Sequence, residues 1–380
     1  MNNVLTLTTL DQVAKRVGVS KATVSRVINQ SPRVAPELMR SVREAMERIG
    51  YQPPRHRRGP KPKTRTGART GNLLLLALGF PDSDPYGTQG YPFLLRGVET
   101  AVHENGLKLV LASLNRDGTL PVALDPDEVD GVLLFGKAEA LSASARARVR
   151  EMPAVCLMRG FDEFRGQLDR VVFDNSAVGP MAARYLAERG HQRVGFYSIN
   201  PTHPAMIPRQ QDFTAIAAAA GLEVIPYVSE HPFENLPQEI AGHHQLAQRL
   251  ATESRRITGL FIPADYWAPY VYQALSACGI VPGRDLDIIS CDNVPLFLDP
   301  LSPRPATIDI NLPLVGAMAV RHLLWRIANA GMKNPVELSV EPVLVPGTCS
   351  GPWLNPQPIN QSGGRDRVGT PDISLRGGVS

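Results

Sequence analysis

Thr9-Leu-Asp-Gln-Val-Ala-Lys-Arg-Val-Gly-Val-Ser-Lys-Ala-Thr-Val-Ser-Arg-Val-Ile-Asn29 reads as two short helices meeting at a glycine. Thr9 is placed to cap the first helix and Gln12, three residues on, to complete a capping box. Leu10, Val13, Ala14 and Val17 recur at helical spacing and define one apolar face. Gly18 then stops the helix, because a sharp turn needs a left-handed residue and glycine enters that region without a Cβ clash. Ser20 caps the second helix. There Val24, Val27 and Ile28 point inward, which leaves Lys21, Ala22, Ser25 and Arg26 on a polar, basic outer face. A helix of this kind fits the width of a DNA major groove. Lys21, Ala22 and Arg26 are the candidate base contacts, with Arg26 foremost, since its planar fork matches the two acceptors of guanine. Thr9, Ser20, Thr23, Ser25 and Asn29 are suited to phosphate oxygens, which fix register without reading sequence.

Charge is distributed in keeping with that reading. Residues 1–70 hold 15 Lys and Arg against four Asp and Glu, a net of +11, while the remainder, with 25 against 32, carries −7. A basic head on an acidic body is the footprint of a chain that presents one end to a polyanion. With 380 residues, 43% hydrophobic and 20% charged, there is material for more than one globular domain. The four cysteines, Cys156, Cys278, Cys291 and Cys349, lie far apart with neither zinc spacing nor a disulfide framework. No apolar run reaches membrane-spanning length and no signal sequence opens the chain, so a cytoplasmic protein without membrane partners is expected. There is no Gly-x-Ser-x-Gly, no phosphate loop and no metal-spaced histidine cluster; His243 and His244 are adjacent on an expected helix and point apart. The sequence therefore offers no catalytic residues, metal site or cofactor, and an enzyme is not expected; an α/β enzyme with a basic appendage is the remote alternative.

From Gly71 onward short apolar runs alternate with helical segments. Leu73–Leu78, Lys108–Leu111, Val132–Phe135 and Ala154–Leu157 form one set of expected buried strands. Val171–Phe173, Arg193–Tyr197, Leu222–Tyr227, Gly259–Ile262 and Asp287–Cys291 form a second, and two alternating runs argue for two parallel-sheet subdomains.

Thr9–Asn29, followed by a third helix that runs to Ile49-Gly50-Tyr51-Gln52-Pro53, resembles the DNA-binding headpiece of the LacI/GalR family of bacterial transcription regulators. The resemblance continues through Arg96-Gly97-Val98-Glu99, Val129-Asp130-Gly131-Val132-Leu133-Leu134, Asp174-Asn175, Arg189-Gly190-His191-Gln192-Arg193-Val194-Gly195-Phe196 and Ile289-Ser290-Cys291-Asp292-Asn293, in the order of that family's effector-binding domain. It implies an all-α helix-turn-helix headpiece followed by an α/β periplasmic-binding-protein-like domain of two Rossmann-like, parallel-sheet subdomains joined by three crossovers. The last helix, about Leu314–Ala330, is then expected to return to the first subdomain. The expected organisation is a headpiece over 1–52, a basic linker over 53–70, a two-subdomain effector and dimerisation domain over 71–350, and a disordered tail over 351–380, rich in Gly, Pro, Ser and Arg. It further implies a homodimeric repressor on a pseudo-palindromic operator, responsive to a small metabolite such as a sugar; control by a protein partner or by abundance is the alternative.

Two regions depart from the family pattern. Between Gln52 and Gly71 there are seven Lys or Arg and no acid. In the family this segment forms a hinge helix ending in a leucine that enters the minor groove. Here there is no leucine, and Gly59, Pro60 and Pro62 oppose a helix. An extended arm carrying Arg55, Arg57, Arg58, Lys61 and Lys63 along the minor groove is one reading, with Arg58-Gly59-Pro60-Lys61-Pro62 resembling an AT-hook without its core order; a passive tether is the other. The second departure concerns the effector cleft, expected beyond the carboxyl ends of the strands. Its candidate residues are Tyr91, Arg159, Arg209, Asp265, Trp267 and Asp292, with Arg and Asp as a fork and an acceptor for vicinal hydroxyls and Trp267 or Tyr266 to stack on a sugar face. Met158 stands where many members have aspartate, Ala264 where an asparagine is usual, and Asp309-Ile310 in place of an arginine-glutamine pair, so the pocket is expected to be rebuilt.

Overall fold

The computed structural model describes residues 10–28, 34–49, 51, 68–78, 90–114, 117–120, 128–158, 164–230 and 235–349. The chain divides into two units, Met1–Lys61 and Pro62–Ser380. No helix among the described residues is long and apolar enough to cross a membrane.

In the first unit three helices, α1 (Leu10–Val17), α2 (Lys21–Ile28) and α3 (Pro36–Arg48), enclose a small core of Val13, Ala14, Val24, Val27, Val34, Val42 and Ala45. The turn between α1 and α2 is closed by local chemistry. Gly18 has φ +72° and the Val19 amide reaches back to the Ala14 carbonyl at 3.0 Å, a Schellman closure that only a left-handed residue permits without strain. The Ser20 hydroxyl then accepts from the Thr23 amide at 3.1 Å, capping the first turn of α2. Proline opens α3 at its first turn, where no donor is lost.

The second unit is built on two six-stranded sheets. One has the order β11 (Glu337–Val340), β5 (Asp169–Phe173), β4 (Ala154–Leu157), β3 (Gly131–Gly136), β1 (Asn72–Leu78), β2 (Lys108–Ser113). The other runs β12 (Val343–Val345), β10 (Ala306–Asp309), β9 (Asp287–Cys291), β8 (Gly259–Phe261), β6 (Arg193–Ser198), β7 (Glu223–Val228). Every pairing is parallel except β10 with β12. The unbroken apolar character of Leu73–Leu78 follows from this topology, since a central parallel strand is covered on both faces and all six residues are buried. Each leucine so enclosed contributes about 1.5–3 kcal/mol.

Helices α4 (Tyr91–Glu104), α5 (Ala143–Arg150) and α11 (Leu312–Ala328) serve the first sheet; α6 (Val178–Glu188), α7 (Met206–Ala219), α8 (Leu236–Thr252), α9 (Ala268–Ala277) and the short α10 (Pro295–Leu298) belong to the second. Helices α4 and α11 cross at two glycines. A Cβ on Gly97 would lie 1.9 Å from the Pro313 carbonyl oxygen, and one on Gly316 would lie 2.2 Å from that of Leu94. That close approach accounts for the glycine in Arg96-Gly97-Val98-Glu99. The chain passes between sheets three times: from β5 to α6, from β10 to α11, and from β11 to β12.

The strand Val171–Phe173, expected with the second set, lies in the first sheet as β5, between β4 and β11. Apolar periodicity identifies a strand but not the sheet it joins. The short edge strands β11 and β12, with their alternating exposed and half-buried residues, carried too little apolar signal to be read. Asp130 explains another motif. Its carboxylate accepts from the amides of Arg69 (2.6 Å), Thr70 (3.0 Å) and Gly71 (2.7 Å) and from the Thr70 hydroxyl (2.8 Å), pinning the chain where it enters the unit's first strand.

Candidate nucleic-acid interface and ligand cleft

On α2 the side chains of Lys21, Ala22 and Arg26 are exposed, and those of Thr23 and Ser25 are half-buried. This is what the core dictates: Val24 and Val27 take the inward positions, so residues one or two places away are turned to solvent. Lys21 is paired with Asp11 of α1 at 2.6 Å, an exposed contact that costs little to break. The Ser20 and Thr23 hydroxyls share a 2.9 Å hydrogen bond. Thr9, Asn29 and the arm residues Arg55, Arg57, Arg58, Lys61 and Lys63 lie outside the described residues, as do the expected hinge region between 52 and 67 and the tail beyond 349.

In the second unit the carboxyl ends of β5, β8 and β9 meet at Arg209, which α7 carries inward. Arg209 is 2% exposed. Its Nε donates to the Asn175 amide oxygen at 2.8 Å, its Nη1 donates to the Pro263 carbonyl, and Phe173 places its ring 5.8 Å from the guanidinium carbon. Nη2 faces Asp292 Oδ1 at 3.6 Å, beyond hydrogen-bonding distance. The Asp292 side chain is 23% exposed and its backbone is held at φ +111°, followed by Asn293 at φ +53°. The Asn293 amide donates to Asp309 at 3.0 Å, and the Asn311 backbone amide donates to the other Asp309 oxygen at 2.7 Å. Arg209 and Asp292 thus come together as a forked donor beside a partly open acceptor.

The remaining candidates stand behind that surface. Tyr91 is buried at the start of α4, its ring 5.0 Å from that of Phe135. Trp267 packs edge-on against Tyr197 at 6.2 Å within the core under α8 and α9, leaving the half-exposed Tyr266 as the aromatic at this strand end. Asp265 is fully enclosed. It accepts from Ser290 Oγ (2.5 Å), Thr307 Oγ1 (2.9 Å) and the Val294 amide (2.7 Å), so its carboxylate binds the ends of β8, β9 and β10 together. Large rings and a many-bonded carboxylate at strand ends gain more from these enclosed partners than from solvent. Arg159 lies outside the described residues. Sequence reasoning missed Asn175, Ser290, Thr307 and Asp309 as parts of the site, although Asn175 and Ser290 belong to the Asp174-Asn175 and Ile289–Asn293 motifs.

Burial, reinforced by the neighbouring Asp292, pushes the Asp265 carboxyl up to about 7 against the pull of its three donors. Burial likewise raises Asp292, with Arg209 opposing. Both groups hold protons in the folded state at a pH where the unfolded chain has released them, so stability falls as pH rises from about 4 to about 7. Asp292→Asn removes one penalty and the repulsion on Asp265. We expect the loss of urea midpoint between pH 5 and pH 7.5 to shrink in that variant; an equal loss in both proteins would place the titration elsewhere.

Residues 9–54 match the family model described as bacterial regulatory proteins, lacI family; residues 74–231 match that of periplasmic binding proteins and the sugar binding domain of the LacI family. Residues 183–350 match a periplasmic binding protein-like domain. The chain belongs to the LacI family of bacterial regulatory proteins. It is 26% identical to the ribose operon repressor of Haemophilus influenzae, over 89% of this chain and 97% of that one. It is 28% identical to the HTH-type transcriptional repressor PurR of Serratia proteamaculans, over 92% and 99%. A solved complex of the transcriptional regulator CelR with cellobiose superposes with TM-score 0.58 at 25% identity, covering 90% of this chain and 99% of that one. The Lac repressor bound to ONPG in its repressed state has the same fold, with TM-score 0.56 at 18% identity, covering 90% and 98%.

Proposed function

We propose that this LacI-family chain is a sequence-specific DNA-binding repressor whose hold on its operator is set by a small hydroxylated metabolite bound between the two α/β subdomains. The observation that carries the reading is the presence, in one chain, of a helix-turn-helix with Lys21, Ala22 and Arg26 turned outward and, at the strand ends of the second unit, of Arg209 facing Asp292 at 3.6 Å. A ligand hydroxyl set beside that pair would bridge it, accepting from Nη2–H while donating to the carboxylate. Tyr266 offers a ring nearby. The ribose repressors and the cellobiose-bound regulator support a carbohydrate as the ligand class.

The protein acts as a homodimer, so that two headpieces meet a pseudo-palindromic site. Support for a second copy comes from apolar side chains exposed on the second subdomain, with Leu296 74% exposed beside Phe297, whose ring meets Tyr266 edge-on at 5.6 Å. The linker arm adds phosphate contacts at the operator centre. Replacing Arg57, Arg58, Lys61 and Lys63 with Ser should lower the slope of log affinity against log salt by about two to four phosphate equivalents and weaken the preference for A·T-rich centres. Unchanged salt and sequence dependence, measured by fluorescence anisotropy, would reduce the arm to a tether.

A further inference from the structure

Asn175 lies on the first crossover, immediately after β5 leaves the first sheet and before α6 opens the second subdomain. It is 1% exposed. Its amide oxygen accepts from Arg209 Nε at 2.8 Å, and its amide nitrogen donates to the Ala205 carbonyl at 3.0 Å, one residue before α7 begins. The orientation of the amide is dictated by its partners, since a guanidinium has only donors and a carbonyl only acceptors. Both ends of this side chain therefore grip the start of α7 from the crossover.

We propose that Asn175 is a positioning residue that aims the Arg209 guanidinium at the cleft and ties it to the first crossover, so that a ligand's hold on Arg209 is transmitted to the junction between the subdomains. This rests on the ligand-binding reading above. Of the three guanidinium nitrogens, Nε is fixed by Asn175 and Nη1 by the Pro263 carbonyl, which leaves Nη2 as the end with the loosest protein partner, Asp292 at 3.6 Å. A ligand acceptor that engages Nη2 draws on a group whose opposite edge is bonded to the crossover. On the other side Asp292 is followed by Asn293, which bonds Asp309, and Asp309 in turn fixes the Asn311 amide at the second crossover, where α11 begins. One guanidinium thus stands between two of the three connections on which the subdomains can move. A ligand shifts such an equilibrium only through contacts that differ between its states, and a bond from the ligand-engaged side chain to the moving strand supplies that difference.

The test uses the full-length protein, an operator duplex selected from random DNA, and a sugar panel that includes D-ribose and cellobiose, screened by melting temperature on the unmodified chain. With the most stabilising sugar, two quantities are read in each variant: the sugar's Kd, and the ratio of operator affinity at saturating sugar to that without it. Asn175→Ala should hold Kd within about tenfold while the ratio, expected at about 5- to 150-fold for the unmodified chain, falls to within about twofold of one. Asn175→Asp is nearly isosteric and keeps an acceptor for Nε, but it sets a carboxylate oxygen against the Ala205 carbonyl; it should bind sugar with a Kd closer to that of the unmodified chain and also lose the ratio. It serves as the folded variant should the alanine substitution not fold. A full ratio at saturation in either folded variant would overturn the role of Asn175 while leaving the ligand reading intact. A panel in which no sugar raises the melting temperature of the unmodified chain would remove the ligand reading, and the role of Asn175 with it.

Discussion

Arg26→Ala should weaken binding to the cognate operator by about 1–3 kcal/mol, roughly 5- to 150-fold, while affinity for random duplex changes little. The asymmetry follows from where Arg26 sits. Val24 and Val27 anchor α2 in the headpiece core, and the exposed Arg26 projects between them on the outward face. Its loss leaves the core untouched, so the headpiece stays folded. It also leaves the Ser20 and Thr23 hydroxyls, the proposed phosphate contacts, on which a sequence-independent share of affinity would rest. Titrations on cognate and scrambled duplexes at one salt concentration decide the matter. An equal loss on both would make Arg26 a phosphate contact.

Arg209→Ala should cost about 3 kcal/mol of stability and abolish the response to ligand. The stability loss has a structural source: removal of Arg209 leaves the Asn175 amide oxygen and the Pro263 carbonyl without their guanidinium donors in the interior, and Asp292 without the cation beside it. Asp292→Ala should be milder for the fold, since the 3.6 Å contact is loose and the side chain partly open. Urea denaturation of the two variants separates the cases. A loss below about 1 kcal/mol in Arg209→Ala would show that the bonds inside the cleft wall contribute little.

How much of the fold and the cleft was legible in the sequence depended on the range of the interactions. The helix-turn-helix was readable because its determinants are local: Gly18 stops α1, Ser20 caps α2, and the valine spacing sets the buried face. The central strands were readable because parallel strands buried on both faces are uniformly apolar, and Ala154–Leu157 and Asp287–Cys291 have the expected limits. Sheet membership was not, as β5 shows, because it is decided by which strands meet across many residues. In the cleft, sequence position showed which residues end strands but not which way they turn. Arg209 and Asp292 meet as a pair, whereas Tyr91 and Trp267 fold into the cores beneath and Asp265 is enclosed by Ser290, Thr307 and Val294. Asn175 was visible only as part of a motif, since the partner that gives it meaning lies 34 residues along the chain.

Sequence-specific operator binding is measured by selection of duplexes from random DNA with the purified full-length chain, followed by anisotropy titration of the enriched sequence and a shuffled control. We predict enrichment of a two-fold symmetric site with half-sites about one helical turn apart, bound about a thousandfold or more tighter than the control, a preference that Arg26→Ala erodes. Recovery of no common sequence, with equal affinity for selected and shuffled duplexes, would contradict it.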